Sequence, residues 1–223
     1  MVHLFPHWNW RSDGDSSGEE EEKETKKVDM WAFSNAEQVE LFVNNVSLGR
    51  SAPGDYGHAQ WLQVPYSPGE VRAVAFDASN KTIATQTIET TGAPAALRVS
   101  IKDGVGAGGI ISGCNDVALV KVEVVDSEGR VVPTANNNID LSVAGPAVYL
   151  GGGNGDPAEH TPDKSTTRPA FGGLLLGVFG STAQTGTVTV TATASGLMSD
   201  KMNIEAKQPT FGSSWWCARN PEL

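Results

Sequence analysis

The stretch Val117–Pro133 reads VALVKVEVVDSEGRVVP, and it decides the fold. From Val120 on, valines alternate with a lysine and a glutamate, so the apolar side chains lie on one side of the chain. A period of two is typical of a β-strand that buries one face. The polar residues 126–129 then predict a turn, and the valines that follow it predict a returning strand.

Similar alternating segments recur along the 223 residues, while no helical period of 3.6 persists. The spacing of the turns predicts an all-β fold with two tandem immunoglobulin-like β-sandwich domains. Small residues at 92–95 predict the boundary, which gives domains over 1–93 and 94–207 and a tail over 208–223. Residues 11–27 are acidic and polar and are predicted to be a flexible loop inserted in the first domain.

Two further segments, 103–115 and 151–172, lack any period and are predicted to be loops. The chain has two cysteines, and a bond between them would close a loop of about 100 residues. Because Cys217 falls in the predicted tail, two unpaired thiols are favoured, at Cys114 and at Cys217.

The charge of the chain excludes some classes of partner. Its formal net charge of −10 argues against nucleic acid and against anionic membrane surfaces, both of which attract clustered lysine and arginine. No apolar stretch has the length that a membrane helix needs. The first residues do not have the pattern of a signal peptide.

No spacing of carboxylates, histidines or cysteines indicates a catalytic pair, a zinc site or a nucleophile, so no catalytic residue and no cofactor are expected. Asp156 and Asp163 are weak candidates for a calcium site, because the loop lacks the regular oxygen spacing of such sites. The run Asn154-Gly155-Asp156-Pro157 is interpreted instead as a structural turn.

Aromatic side chains are the candidates for carbohydrate contact, because their rings can stack on a sugar. Trp8, Trp10 and Tyr56 lie outside the regular strands and are the preferred ones. Trp31 and Trp61 lie in alternating strands and are predicted to be in the core, with Trp8 and Trp10 more exposed.

A set of short segments in a fixed order resembles one enzyme family. The segments are Val2–Trp10, Val28–Ala36, Val39–Asn44, Ser47–Gly49, Val131–Ala135, Asn154–Pro157, Arg168, Ala170-Phe171 and Gly173. They are similar to the region that follows the catalytic barrel in family 2 glycoside hydrolases of β-galactosidase type, including the final immunoglobulin-like domain.

The resemblance implies a non-catalytic accessory region, because the family's barrel and its two catalytic glutamates are absent from this chain. It implies a glycosidase catalytic domain as partner, with carbohydrate as a further candidate. It also favours an extracellular or periplasmic location. A tandem adhesin- or invasin-like module and an independent carbohydrate-binding module remain the alternatives.

Overall fold

The protein is known from a computed structural model, which describes residues 1–10, 26–54 and 57–209. These residues form sixteen strands and no helix, so the fold is all-β as predicted. The chain divides into two units, one from Met1 to Thr91 and a second that begins at Gly92. The sequence prediction placed the division near residue 93.

The first unit is a sandwich of two antiparallel sheets. Its strands are β1 (Val2–Phe5), β2 (Lys27–Ser34), β3 (Gln38–Val43), β4 (Val46–Ser51), β5 (His58–Pro65), β6 (Glu70–Phe76) and β7 (Thr82–Glu89). One sheet has the order β1-β2-β5 and the other the order β4-β3-β6-β7. The core residues of this unit form one cluster of buried side chains, which includes Met30, Val39, Leu41 and Trp61.

Strand β2 buries the side opposite to the one that holds its aromatic residues. Val28, Met30 and Ala32 are buried, whereas Trp31 and Phe33 are each 38% exposed. The prediction that Trp31 is in the core is therefore wrong. Large apolar residues lie on both sides of this strand, and Trp31 and Phe33 share the outer side with Lys27 and Asp29. The period of two therefore identifies the strand, whereas the aromatic residues do not mark the buried side.

A tight turn joins β3 to β4, as the pair Asn44-Asn45 predicted. Both asparagines have positive φ, 48° and 67°. Asparagine tolerates this left-handed backbone better than most residues, and such pairs match the twist of a hairpin.

The second unit is also a two-sheet sandwich. Its strands are β8 (Ala96–Ile101), β9 (Ile110–Ile111), β10 (Val117–Val125), β11 (Asn138–Ala144), β12 (Ala147–Gly153), β13 (Thr167–Pro169), β14 (Leu174–Ser181), β15 (Gly186–Thr193) and β16 (Asp200–Lys207). The sheets have the orders β12-β14-β10-β8 and β13-β11-β15-β16-β9.

Strand β10 has a neighbour on both sides, and its three alternating valines are fully buried in the core of the second unit. The predicted face of this strand is confirmed. Strands β9 and β13 were missed, because they have two and three residues and lie in the segments 103–115 and 151–172 that were predicted to be loops. So short a strand is defined by its partner across the sheet and leaves no period in the sequence.

The turn after β10 is built around a buried aspartate. Asp126 accepts hydrogen bonds from the backbone N–H groups of Gly92, Glu128 and Arg130 and from the Arg130 guanidinium. Desolvation alone would raise the pKa of Asp126, but these donors hold it far below its ordinary value. The predicted returning strand is reduced to one antiparallel bridge between Val125 and Val131.

The ends of the loop segments fall partly outside the described residues. Of the predicted acidic loop 11–27, Lys27 already belongs to β2, and residues 11–25 lie outside. Of the predicted tail 208–223, the described part ends at Pro209.

Candidate interaction surfaces

Trp8, the first of the predicted carbohydrate contacts, is buried and not exposed. Only 1% of its surface is accessible, and its ring packs edge-on against Tyr66 with 5.1 Å between the centroids. Its indole N–H donates to the carbonyl of Ser67 at 2.9 Å, and its own carbonyl accepts from the hydroxyl of Thr90. These partners are 59 and 82 residues away along the chain. The ring therefore has no face to offer to a sugar, and the prediction that Trp8 is more exposed than Trp31 is wrong.

Trp10, the second candidate, is half-buried and held by local contacts. Its ring stacks on His7 at 4.6 Å, its indole N–H donates to the carbonyl of His7, and the Lys26 ammonium lies 4.8 Å from its centroid. Burial lowers the pKa of His7. The third candidate, Tyr56, lies outside the described residues.

Aromatic side chains are instead exposed on the outer side of the sheet β1-β2-β5. We name this surface the aromatic face and define it by His3, Phe5, Trp31, Phe33, His58 and Gln60. Pairing across the strands places them in two rows, Phe5–Trp31–Gln60 and His3–Phe33–His58.

The rings of the aromatic face touch one another and form a continuous surface. Phe5 and Trp31 are 6.1 Å apart between centroids, Trp31 and His58 are 5.9 Å apart, and Phe33 and His58 are 5.7 Å apart. Phe5 is half exposed, at 50%. Contacts of this kind hold each ring in place without covering it.

The second unit exposes a different kind of surface on the outer side of the sheet β12-β14-β10-β8. We name it the aliphatic face. It consists of Leu119, Val148, Leu150, Leu174, Leu176 and Val178. Leu150 lies over Gly180, because a Cβ added to that glycine would come within 2.8 Å of the leucine side chain.

A small group of charged residues borders the aliphatic face. Glu123 forms ion pairs with Arg98 and Lys121, both at 2.7 Å. Burial by itself would raise the pKa of Glu123, but these two hydrogen-bonded cations lower it. The charges at this border are therefore paired with one another.

The run Asn154-Gly155-Asp156-Pro157 lies in a loop that its own polar groups hold together. The Asn154 carbonyl oxygen accepts from the backbone N–H of Asp156, and its amide group donates to the carbonyl of Pro169. The buried guanidinium of Arg168 donates to the carbonyls of Thr161 and Pro162, at 2.9 and 3.0 Å. The loop is thus held by its own hydrogen bond at Asn154 and by hydrogen bonds to strand β13.

The two weak calcium candidates, Asp156 and Asp163, both lie in this loop. Asp156 accepts from the backbone N–H of Ala158, whereas the side chain of Asp163 is almost fully exposed and lies 4.0 Å from Arg168. Within residues 1–10, 26–54 and 57–209, no three His, Cys, Asp or Glu side chains are grouped in a way that could hold a metal ion. The same residues contain no helix that is long and apolar enough to cross a membrane.

Cys114 is disulfide-bonded, so the prediction of a free thiol at this position is wrong. The other cysteine of the sequence, Cys217, lies outside the described residues. A disulfide requires its two Cα atoms to lie within about 7 Å of each other. Spacing along the sequence does not report that distance.

Comparison with known proteins gives the family. The sequence model of the family "glycoside hydrolase family 2 C-terminal domain 5" matches residues 108–203. The sequence model of a domain of unknown function (DUF4982) matches residues 25–84. The chain belongs to the C-terminal domains of family 2 glycoside hydrolases. The β-galactosidase BoGH2A of Bacteroides ovatus is 34% identical over 93% of this chain, and a β-glucuronidase of Formosa agariphila is 33% identical over 96%.

Solved structures agree with this family 2 assignment. A β-glycosidase from Bacteroides vulgatus matches 92% of the chain with a TM-score of 0.79 and 29% identity. A family 2 β-glucuronidase matches 96% with a TM-score of 0.77 and 29% identity. The chain spans 24% and 21% of these two structures, and 23% and 20% of the two sequence relatives above.

Proposed function

We propose that this chain is a non-catalytic accessory region of a β-galactosidase-like glycoside hydrolase and packs against the catalytic region of the same polypeptide. The observation that carries the proposal is the aliphatic face of the second unit. The relatives of this chain indicate what could cover that face. About three quarters or more of their length lies outside the part that this chain matches.

The aliphatic face has the chemistry of a surface that another protein surface covers. The outer side of an antiparallel sheet in a sandwich is ordinarily polar. Here the segment 174–179 is apolar on both sides, which is typical of a strand that is buried on both faces. One side of it lies in the core, and Leu174 on the other side is 41% exposed. A contiguous apolar surface of this kind marks an interaction site.

The ionisation of the carboxylates supports a non-catalytic role. The general acid of a glycosidase needs a pKa raised toward neutrality. In the part of the chain that the structure describes, the carboxylates with a shifted pKa are Glu40, Glu123, Asp126 and Glu159, and each is shifted downward. Each is also engaged by hydrogen-bond donors that favour the ionised form.

Enzymatic assay of the purified chain tests the non-catalytic part of the proposal. We expect no hydrolysis of an aryl β-galactoside above background, because two carboxyl groups must flank the scissile bond. Turnover that disappears on replacement of a single glutamate of this chain would contradict the proposal.

The docking part is tested by extending the reading frame upstream of Met1, where we expect a barrel domain. In the extended polypeptide, Val148→Glu and Leu174→Glu should each lower the melting temperature and weaken the contact with the barrel. Ile83→Glu is the matched control, because Ile83 is 45% exposed and Val148 is 47% exposed. Equal effects of Val148→Glu and Ile83→Glu would remove the aliphatic face as the docking surface.

A further inference from the structure

We propose that the aromatic face of the first unit binds neutral oligosaccharides. The site consists of Phe5, Trp31 and Phe33 as the stacking surface, with His3, His58 and Gln60 around it. This site does not include Trp8, Trp10 or Tyr56, the residues that the sequence suggested for carbohydrate contact. It is independent of the docking role, because it lies on the other unit and has a different chemistry.

Its side chains suit a sugar better than they suit a protein partner. A sugar ring has apolar C–H groups on its faces and hydroxyl groups around its rim, so it needs exposed aromatic rings with free polar groups beside them. The rings supply the first requirement. His3 and Gln60 supply the second, because neither side chain is engaged in a hydrogen bond within the described residues. The aliphatic face, by contrast, offers no ring and no free amide at its centre.

The dimensions of the site match a short oligosaccharide. Neighbouring strands lie about 4.8 Å apart, and residues two apart on one strand lie about 6.8 Å apart. Three strands and two rows therefore span about 10 by 7 Å. Across this span the rings of Phe5, Trp31 and His58 contact one another at interplanar angles of 37° and 44°.

The charge around the site selects a neutral ligand. Neither row of the aromatic face contains Asp, Glu, Lys or Arg. Asp29 and Lys27 follow on the same side of β2, and their opposite charges offset each other. The chain as a whole carries a net charge of −10, which repels a saccharide that bears carboxylates. Neutral sugars are therefore expected to bind more tightly than uronic-acid sugars of equal length.

The experiment is a calorimetric titration of the purified 223-residue chain with a β-linked galactose tetrasaccharide and a β-linked glucose tetrasaccharide. A uronic-acid tetrasaccharide of the same length tests the effect of charge. We expect binding of at least one neutral probe and an at least tenfold weaker response to the acidic one. Trp31→Ala and Phe33→Ala should each weaken binding about tenfold, the loss typical of an aromatic anchor. Trp31→Phe should restore most of it.

Ile83→Ala is the control, because it truncates an exposed apolar side chain of the same unit on strand β7 and should leave binding unchanged. The melting temperature of each variant shows whether it has folded, and Phe33→Ala provides a second reading if Trp31→Ala unfolds. Failure of every neutral probe to bind would overturn the proposal. Binding that survives both alanine variants, or equal binding of the acidic probe, would also overturn it. An effect of Trp31→Ala on barrel contact in the extended polypeptide, without any sugar binding, would make the aromatic face a protein interface instead.

Discussion

Truncation of Trp8 should destabilise the first unit far more than truncation of Trp31. Trp8 is fully buried against Tyr66 and donates a hydrogen bond to Ser67, so Trp8→Ala opens a cavity and leaves the carbonyl of Ser67 without that partner. Replacement of a buried tryptophan by alanine costs about 3–5 kcal/mol of unfolding free energy. For a unit of this size, that lowers the melting temperature by more than about 10 °C. Trp31→Ala should cost less, about 1–2 kcal/mol, because the ring is already 38% exposed and its loss leaves no enclosed cavity.

Urea unfolding followed by circular dichroism measures both values. Trp8→Phe separates the two contributions to the larger one: it keeps most of the apolar volume and loses the hydrogen bond, so it should cost about 1–3 kcal/mol. Iodide quenching provides a second reading, in which loss of Trp31 should lower the quenchable fluorescence and loss of Trp8 should not. Equal unfolding free energies for Trp8→Ala and Trp31→Ala would refute the assignment of Trp8 to the core.

Three further predictions concern the second unit. Val122→Ala should cost about 1–3 kcal/mol in urea unfolding because it opens a cavity, against less than about 1 kcal/mol for Thr189→Ala on the outer side of β15; equal costs would reverse the assignment of faces. The folded state lowers the pKa of Asp126, so as the pH falls below about 4 the unfolded chain binds more protons and stability is lost. Asp126→Asn should therefore lower the melting temperature at neutral pH and flatten its fall in acid, and an unchanged melting temperature at neutral pH would contradict this. Arg168→Lys keeps the charge but loses the forked donor, so hydrogen exchange over residues 154–166 should accelerate, which an unchanged rate would contradict.

Side chains on the aromatic and aliphatic faces can be replaced without disturbing the two cores. Each face is the outer side of a sheet whose inner side is fully packed, so substitutions on it can change binding without removing the core. Edge residues such as Val148 and half-exposed rings such as Phe5 are therefore suited to functional tests. Alanine variants at buried positions such as Val122 report on stability instead.

The sequence by itself determined the all-β fold, because alternation along strands such as β10 and turns such as Asn44-Asn45 are local signals. It also contains the short segments, in a fixed order along the chain, that resemble family 2 glycoside hydrolases. The aromatic residues of β2 did not indicate which of its sides is buried, because large apolar residues lie on both sides and the choice depends on the strands packed against it.

Only the tertiary structure decided where the candidate sites lie. Trp8 is in the core because residues distant in sequence contact it: Tyr66 packs against its ring and the carbonyl of Ser67 accepts its indole N–H. The stretch around Trp8 contains no trace of those contacts. The short strand β9 likewise depends on a partner far along the chain, strand β16. The aromatic face exists because β1, β2 and β5 place side chains from three separate segments on one surface. A period describes one strand, whereas a surface depends on the register between strands, and that register is set by the packing of the whole unit.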